Sequence, residues 1–414
     1  MKTHVFYRSL AIALLLTPLN ALADSQFYRA LADNNEPRAE LDWLTTFRAS
    51  IMGGMASKGF GADKHSTDPL QIYGSNKIGL LAADAVGNPS TLIASADLAA
   101  LLINAPSATL TYSGKFNFFE THFDIEQNIV NGFFARLHIP VKRLVTKNVM
   151  VTDSTTGLDA NVAEWLTVKN SFATIISAYG LTANDVTKAG IGDIVIGGGW
   201  TYNNDSMDKI DFFDTTIRVG VSTPTAEKRD EDKAFSLPLG YNGHMGLPVS
   251  FDFALGLFDW VTFGAHVDAT FFFKKTVNIR MNTNANQNGY IKLLKGDAKR
   301  ELGHIFNAGS FLKLDHVFKG LSFSVGYNYA HKDKDQLTPA DLTAFTVTAA
   351  NADCMLKSWN MHVIHTSVEY DFARDGHVCN PAVSVYYARP VAGKRVLQTN
   401  TIGGSLGVNL AWNF

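Results

Sequence analysis

The chain has 414 residues, 46% hydrophobic and 18% charged, with a formal net charge of −2 and a mean hydropathy of +0.01. A soluble protein of this length usually forms two or three domains with about 25% charged residues. Beyond the N-terminus no charge-free apolar run of about 20 residues occurs, which excludes helical membrane spans, while 2 Cys and 12 Pro exclude disulfide frameworks and disordered or collagenous chains.

Residues 1–23 read as a secretory signal. Lys2 and Arg8 flank its start, Leu10–Leu16 form a short apolar core, and Ala21-Leu22-Ala23 has the small-x-small pattern of a cleavage site. The alternative, a membrane anchor, needs an apolar core about twice as long. Cleavage would leave a mature chain from Asp24, with 24–40 a periplasmic segment ahead of the first strand. It removes two basic residues and no acidic one, moving the net charge from −2 to −4. Nucleic acid is therefore not an expected partner.

From residue 41 the chain divides into segments of strand length. Strands are expected near 41–53, 107–124, 131–141, 191–204, 209–222, 243–257, 260–273, 302–315, 320–332, 359–372, 381–390 and 401–414. Val261, Phe263, Ala265, Val267, Ala269 and Phe271 alternate with Thr262, Gly264, His266, Asp268 and Thr270. That period of two puts one set on each face of a strand. Connections after even-numbered strands are short and turn-like, as at Asn203-Asn204-Asp205-Ser206, Phe258-Asp259 and Lys319-Gly320. Those after odd-numbered strands are long: 54–106, 142–190, 223–242, 274–301, 333–358 and 391–400. Two carry helical patterns, Ser95–Ala105 with Leu98, Leu101 and Leu102, and a second run with Phe172, Ile175, Ile176 and Tyr179 before Gly180. Such helices would cap the barrel mouth, or one would fold inward and narrow it.

The last strand reads Leu406-Gly-Val408-Asn-Leu410-Ala-Trp412-Asn-Phe414, apolar at every second position and ending on Phe. It resembles the final strand of bacterial outer-membrane β-barrels, in which the terminal aromatic serves as the assembly signal. The resemblance implies that role for Trp412 and Phe414, with outer-membrane lipid and the assembly machinery as partners. Gly190-Ile191-Gly192-Asp193 opening a strand is similar to barrels of the aromatic-degradation and hydrophobic-uptake type. The same residues also suit a strongly bent corner of a barrel wall.

The fold expected is all-β: a closed, antiparallel, up-and-down transmembrane β-barrel over 41–414, of about 12 strands, with short helices in the outer loops. In lipid only closure pairs every backbone group. An even strand number puts both termini on one side, the periplasm in this class.

The inward face carries the candidate functional residues. Arg48, Lys115, Arg136, His138 and Arg218 are assigned to it on the early strands, and Asp252, His266, Asp268, His365 and Glu369 on the later ones. Opposite walls of opposite sign would set a transverse field for solute selection; alternatively the charges pair and fill the barrel. Catalysis is the competing class, with His266 and Asp268 as its best pair. His-Glu-x-x-His and Cys-x-x-Cys are absent from the sequence, and the one Gly-x-Ser-x-Gly run, Gly403 to Gly407, falls inside the last expected strand rather than at a strand-to-helix elbow. No catalytic residue, metal or cofactor is therefore assigned. Cys354 falls in an outer loop and Cys379 near a periplasmic turn, too far apart for a disulfide. The function expected is a channel or porin for passive diffusion of small solutes; the alternatives are a surface-binding or structural barrel with a closed lumen, and a hydrolase.

Overall fold

The computed structural model describes residues 43–81, 108–156, 162–205, 210–372 and 379–411. The signal segment, residues 24–40, the helix expected over Ser95–Ala105, Trp412 and Phe414 lie outside them. Twelve long strands form the wall: β1 (Leu44–Ala56), β2 (Thr109–Asn128), β3 (Phe133–Asp153), β4 (Ile194–Asn204), β5 (Phe212–Thr223), β6 (Gly246–Leu257), β7 (Val261–Phe272), β8 (Ile305–Phe318), β9 (Leu321–Lys332), β10 (Trp359–Asp371), β11 (Cys379–Lys394) and β12 (Asn400–Ala411). Each pairs antiparallel with its chain neighbours. β1 then pairs β12 from Leu44–Ala411 to Met55–Asn400, which closes the barrel. Closure leaves no sheet edge, the condition a spanning sheet must meet.

Short connections gather at one end, the turn end, where residues with positive φ reverse the chain. Asn131 (φ 51°) and Gly132 (φ 80°) join β2 to β3, with Phe133 N–H donating to the Val130 carbonyl at 3.0 Å. Phe258 and Asp259, both near 60°, do the same between β6 and β7. These are the primed turns whose twist matches that of the flanking strands. A Cβ on Gly132 would sit 2.1 Å from the Thr201 carbonyl oxygen, in a backbone region that favours Gly. Gly132→Ala is expected to cost about 1–3 kcal/mol, read as a lower urea midpoint of the refolded barrel.

The outer face is apolar. Ile51, Phe119, Phe123, Ile196, Ile217, Phe251, Val267, Val325, Ile364 and Val385 all point outward and are exposed. Aromatic residues ring its two borders: Trp43, Phe133, Tyr202, Phe258, Trp260, Phe318 and Phe372 at the turn end, and Phe271, Phe273, Phe306 and Tyr387 at the other. From Trp260 to Phe271 along β7, a rise of ~3.3 Å per residue and a tilt of about 40° give roughly 25–30 Å, the thickness of a hydrocarbon layer. A band of this composition and height is matched to lipid. Among the described residues no helix is long and apolar enough to cross a membrane.

At the opposite, loop end the wall grows upward. β2 and β3 run to 20 and 21 residues and project as a ribbon beyond the band, and Val186–Ile191 pairs with β3 before the strand breaks at Gly192-Asp193. Buried Asp193 accepts the backbone N–H of Ala226 at 3.0 Å and of Tyr241 at 2.5 Å, so it ties the 224–245 loop to the wall. The Gly-x-Gly-Asp segment therefore serves the bent corner. Helix α1 (Val162–Ala178) contains the expected helical run, and its Phe172, Ile175 and Ile176 are buried in the main apolar cluster.

The loops at 274–301 and 333–358 are not plain coil. Lys275–Arg280, Lys295–Glu301 and Gln336–Pro339 form a small antiparallel sheet. It covers a second core of Ile279, Met281, Ala298, Leu337, Phe345 and Leu356, with α2 (Val347–Ala352) capped by Thr346. Asp335 ties this lid to the wall, bonding Arg300 Nη2 at 2.6 Å, Gly303 N–H at 2.8 Å and Lys332. Burial alone would raise its carboxyl, but Lys332 and Arg300 outweigh that and hold it below the ordinary carboxylate value. A depressed folded pKa gives stability that is complete above about pH 5 and is lost as pH falls below about 4. Hydrogen-exchange protection at 295–301 and 336–339, taken relative to the intrinsic rate at each pH, should fall over that acid range. Asp335→Asn should already show that low protection at pH 7.

Candidate functional site: the barrel interior

Alternation that sends apolar residues outward sends the others inward, and the inward set changes character with depth. In the half nearer the loop end it is Met52 and Ala56 on β1, Leu110, Tyr112, Phe116 and Phe118 on β2, and Leu144 on β3. Phe272, Ile305, Ala330, Trp359, Met361, Val363, Tyr386 and Ala388 continue it around the later strands. All belong to one buried apolar cluster that also takes in α1 and the loop residues Phe235, Leu239 and Tyr290. This is an apolar upper tier.

The half nearer the turn end is ionic. Asp124 bonds Arg136 Nη2 at 2.8 Å and His138 Nδ1 at 2.9 Å, and Glu126 lies 4.0 Å from the same guanidinium. His122 contacts Glu120 at 3.3 Å and stacks on His138 with ring centroids 5.3 Å apart. Arg218 pairs with Asp252 and lies 6.0 Å from the centre of the Phe134 ring. Asn307 donates to Asp268 at 2.8 Å and contacts His266 Nε2 at 3.2 Å, while Lys313 bridges Asp315 at 3.1 Å and Glu369 at 3.4 Å. These groups are withdrawn from water, with Arg48, Arg218, His138 and Asp252 at 0–1% exposure. Charges so deeply buried persist only when paired and hydrogen-bonded. Small residues make room for the large ones: a Cβ on Gly326 would meet the His365 ring at 2.4 Å, and one on Gly309 the His266 ring at 2.5 Å.

Nine of the ten residues assigned inward from sequence sit on the inward face. Arg48, Arg136, His138, Arg218, Asp252, His266, His365 and Glu369 are buried and Asp268 is half-buried. Lys115 does not join them. It is exposed on the outer face, in the part of β2 that projects beyond the band, where an ammonium meets no lipid. A strand read one residue out of register turns its whole side-chain set over, so the same slip hid Glu120, His122, Asp124 and Glu126, which point inward. With these and Lys313 in place, acidic and basic groups share every wall. The expected division into a basic and an acidic wall is thus corrected: charges pair with near neighbours and leave no transverse field. The enzyme reading loses its best pair as well, since His266 and Asp268 both face Asn307, an amide and no nucleophile. Cys354 is a free thiol at the loop end, and β11 carries Cys379 opposite Leu410 at the turn end.

A closed twelve-stranded barrel with a lipid-matched girdle and a polar-to-apolar interior defines an outer-membrane β-barrel. No protein-family pattern and no curated protein matches the chain by sequence. Among solved structures, an outer-membrane channel from Pseudomonas putida superposes with a TM-score of 0.53 at 10% identity, over 92% of this chain and 99% of that one. The chain is similar to it in fold. A FadL homologue from Pseudomonas aeruginosa aligns over 97% of this chain and 100% of that one at 10% identity, with a TM-score of 0.34, too low for a close likeness.

Proposed function

We propose that this chain is exported by residues 1–23, assembles in the outer membrane with Trp412 and Phe414 as its assembly signal, and acts as a channel for passive diffusion of small solutes with an apolar part. Its turn end would face the periplasm and its long loops the exterior. The observation that carries the reading is the two-tier interior. A barrel that only needed filling could be packed with either chemistry; here an apolar tier lies under the loop end and a paired ionic tier below it. The upper tier would draw apolar groups from water, each aromatic contact being worth about 1.5–3 kcal/mol when fully buried. The ionic tier, with Arg48, Arg136, His138, Arg218, Asp252, His266, Asp268, His365 and Glu369, would line the lower passage and limit free ion flow, because opposite charges lie beside one another along it. The P. putida barrel of the same fold is an outer-membrane channel, which supports the reading.

The test is permeation into proteoliposomes of a small aromatic alcohol and of a sugar of similar size. The aromatic should enter faster with the barrel than without it, and the sugar should gain little. Equal gains would point to a general porin, and no gain for either to a closed, structural barrel.

A further inference from the structure

A second site lies outside the barrel interior, under the loop-end lid. Arg229, Arg280, Lys292 and Arg300 converge with Glu231, Asp353, Met355 and Leu356 on a cavity of about 30 Å³, enough for more than one water-sized group. Three of the four cations have carboxylate partners: Arg280 bonds Asp232 at 3.0 Å, Arg300 bonds Asp335 at 2.6 Å, and Lys292 pairs with Asp353. Arg229 has none among the described residues. Its Nη2 donates to the Ala234 carbonyl at 3.0 Å, its Nη1 meets the Met355 sulfur at 3.4 Å, and its Nε is buried with no acceptor. Lys292 Nζ reaches the same sulfur at 3.4 Å. A thioether is a weak acceptor, so two cationic donors aimed at one sulfur are poorly satisfied. Guanidinium and ammonium groups so placed match an oxyanion, which takes charge-assisted bonds from both.

We propose that this cavity binds a small oxyanion, the carboxylate or phosphate group of a ligand arriving at the barrel mouth, with Arg229 as its principal donor. Arg229 and Glu231 are only half-buried, which gives the anion a route in from solvent. Met355 belongs to the same apolar cluster as Trp359 and Met361, so an apolar part of the ligand would point toward the upper tier.

Calorimetric titration of the refolded full-length barrel in detergent tests this without any transport, with inorganic phosphate and benzoate as separate probes at low ionic strength. Saturable binding of either supports the site: phosphate alone would indicate a phosphorylated ligand, benzoate alone a carboxylate one. Arg229→Gln should weaken binding about tenfold or more, the scale of one lost charge-assisted bond, while Lys233→Gln on the exposed surface leaves it unchanged. No saturable binding of either probe, or Arg229→Gln binding as the parent does, overturns the proposal. Should Arg229→Gln not fold, phenylglyoxal labelling of the unaltered barrel decides: protection of Arg229 by the bound probe supports it, and labelling unchanged by the probe overturns it.

Discussion

Asp252→Ala is expected to destabilise the barrel by about 3–5 kcal/mol, the usual cost of leaving one partner of a buried ion pair alone. Arg218 is at 1% exposure and Asp252 at 0%, and Asp252 is the carboxylate that bonds this guanidinium. Arg218 Nε and Nη2 have no other acceptor among the described residues, so the charge would be stranded. Urea unfolding of the barrel in lipid vesicles gives the number. Replacing both partners by apolar residues of similar volume, Arg218→Met with Asp252→Leu, should recover most of the loss. A loss under about 1 kcal/mol for Asp252→Ala would mean that Arg218 is solvated rather than held by Asp252 alone.

Phe118→Asn should lower the flux of a small aromatic solute roughly tenfold. The ring points into the upper tier at 5% exposure, and the substitution exchanges an apolar contact worth about 1.5–3 kcal/mol for an amide, with tenfold corresponding to about 1.4 kcal/mol. The wall should stand, because backbone pairing of Phe118 with Gly54 and Leu144 does not involve the side chain. Proteoliposome permeation measures the change, with a sugar as control. Undiminished aromatic flux would remove the upper tier from the path.

The upper tier also explains which parts of the molecule could be read from the sequence. β7 alternates cleanly because its outward residues face lipid and most of its inward ones, such as His266 and Asp268, are polar; its extent and faces were legible. β2 was not, since Phe116 and Phe118 point inward and Phe119 and Phe123 outward. A strand apolar on both faces loses the period of two, and its register slipped by one residue at Lys115. The even spacing of Glu120, Asp124 and Glu126 was the signal that fixes the face. Turns such as Phe258-Asp259 were visible in composition, as was the helical run at Phe172. The lid sheet and the cavity around Arg229 were not, because they join residues from loops separated by several strands. No spacing in the chain foretells that Arg229 and Lys292 meet at Met355.

The central claim is that apolar solutes occupy the loop-end half of the interior, and photolabelling tests it most directly. A small arene bearing a diazirine, added to barrels reconstituted in lipid, should attach to peptides containing the inward residues Tyr112, Phe116, Phe118 and Trp359, and excess unlabelled arene should compete it away. Labelling confined to lipid-facing residues such as Phe123 and Phe251, with none at the four inward positions, would contradict the account.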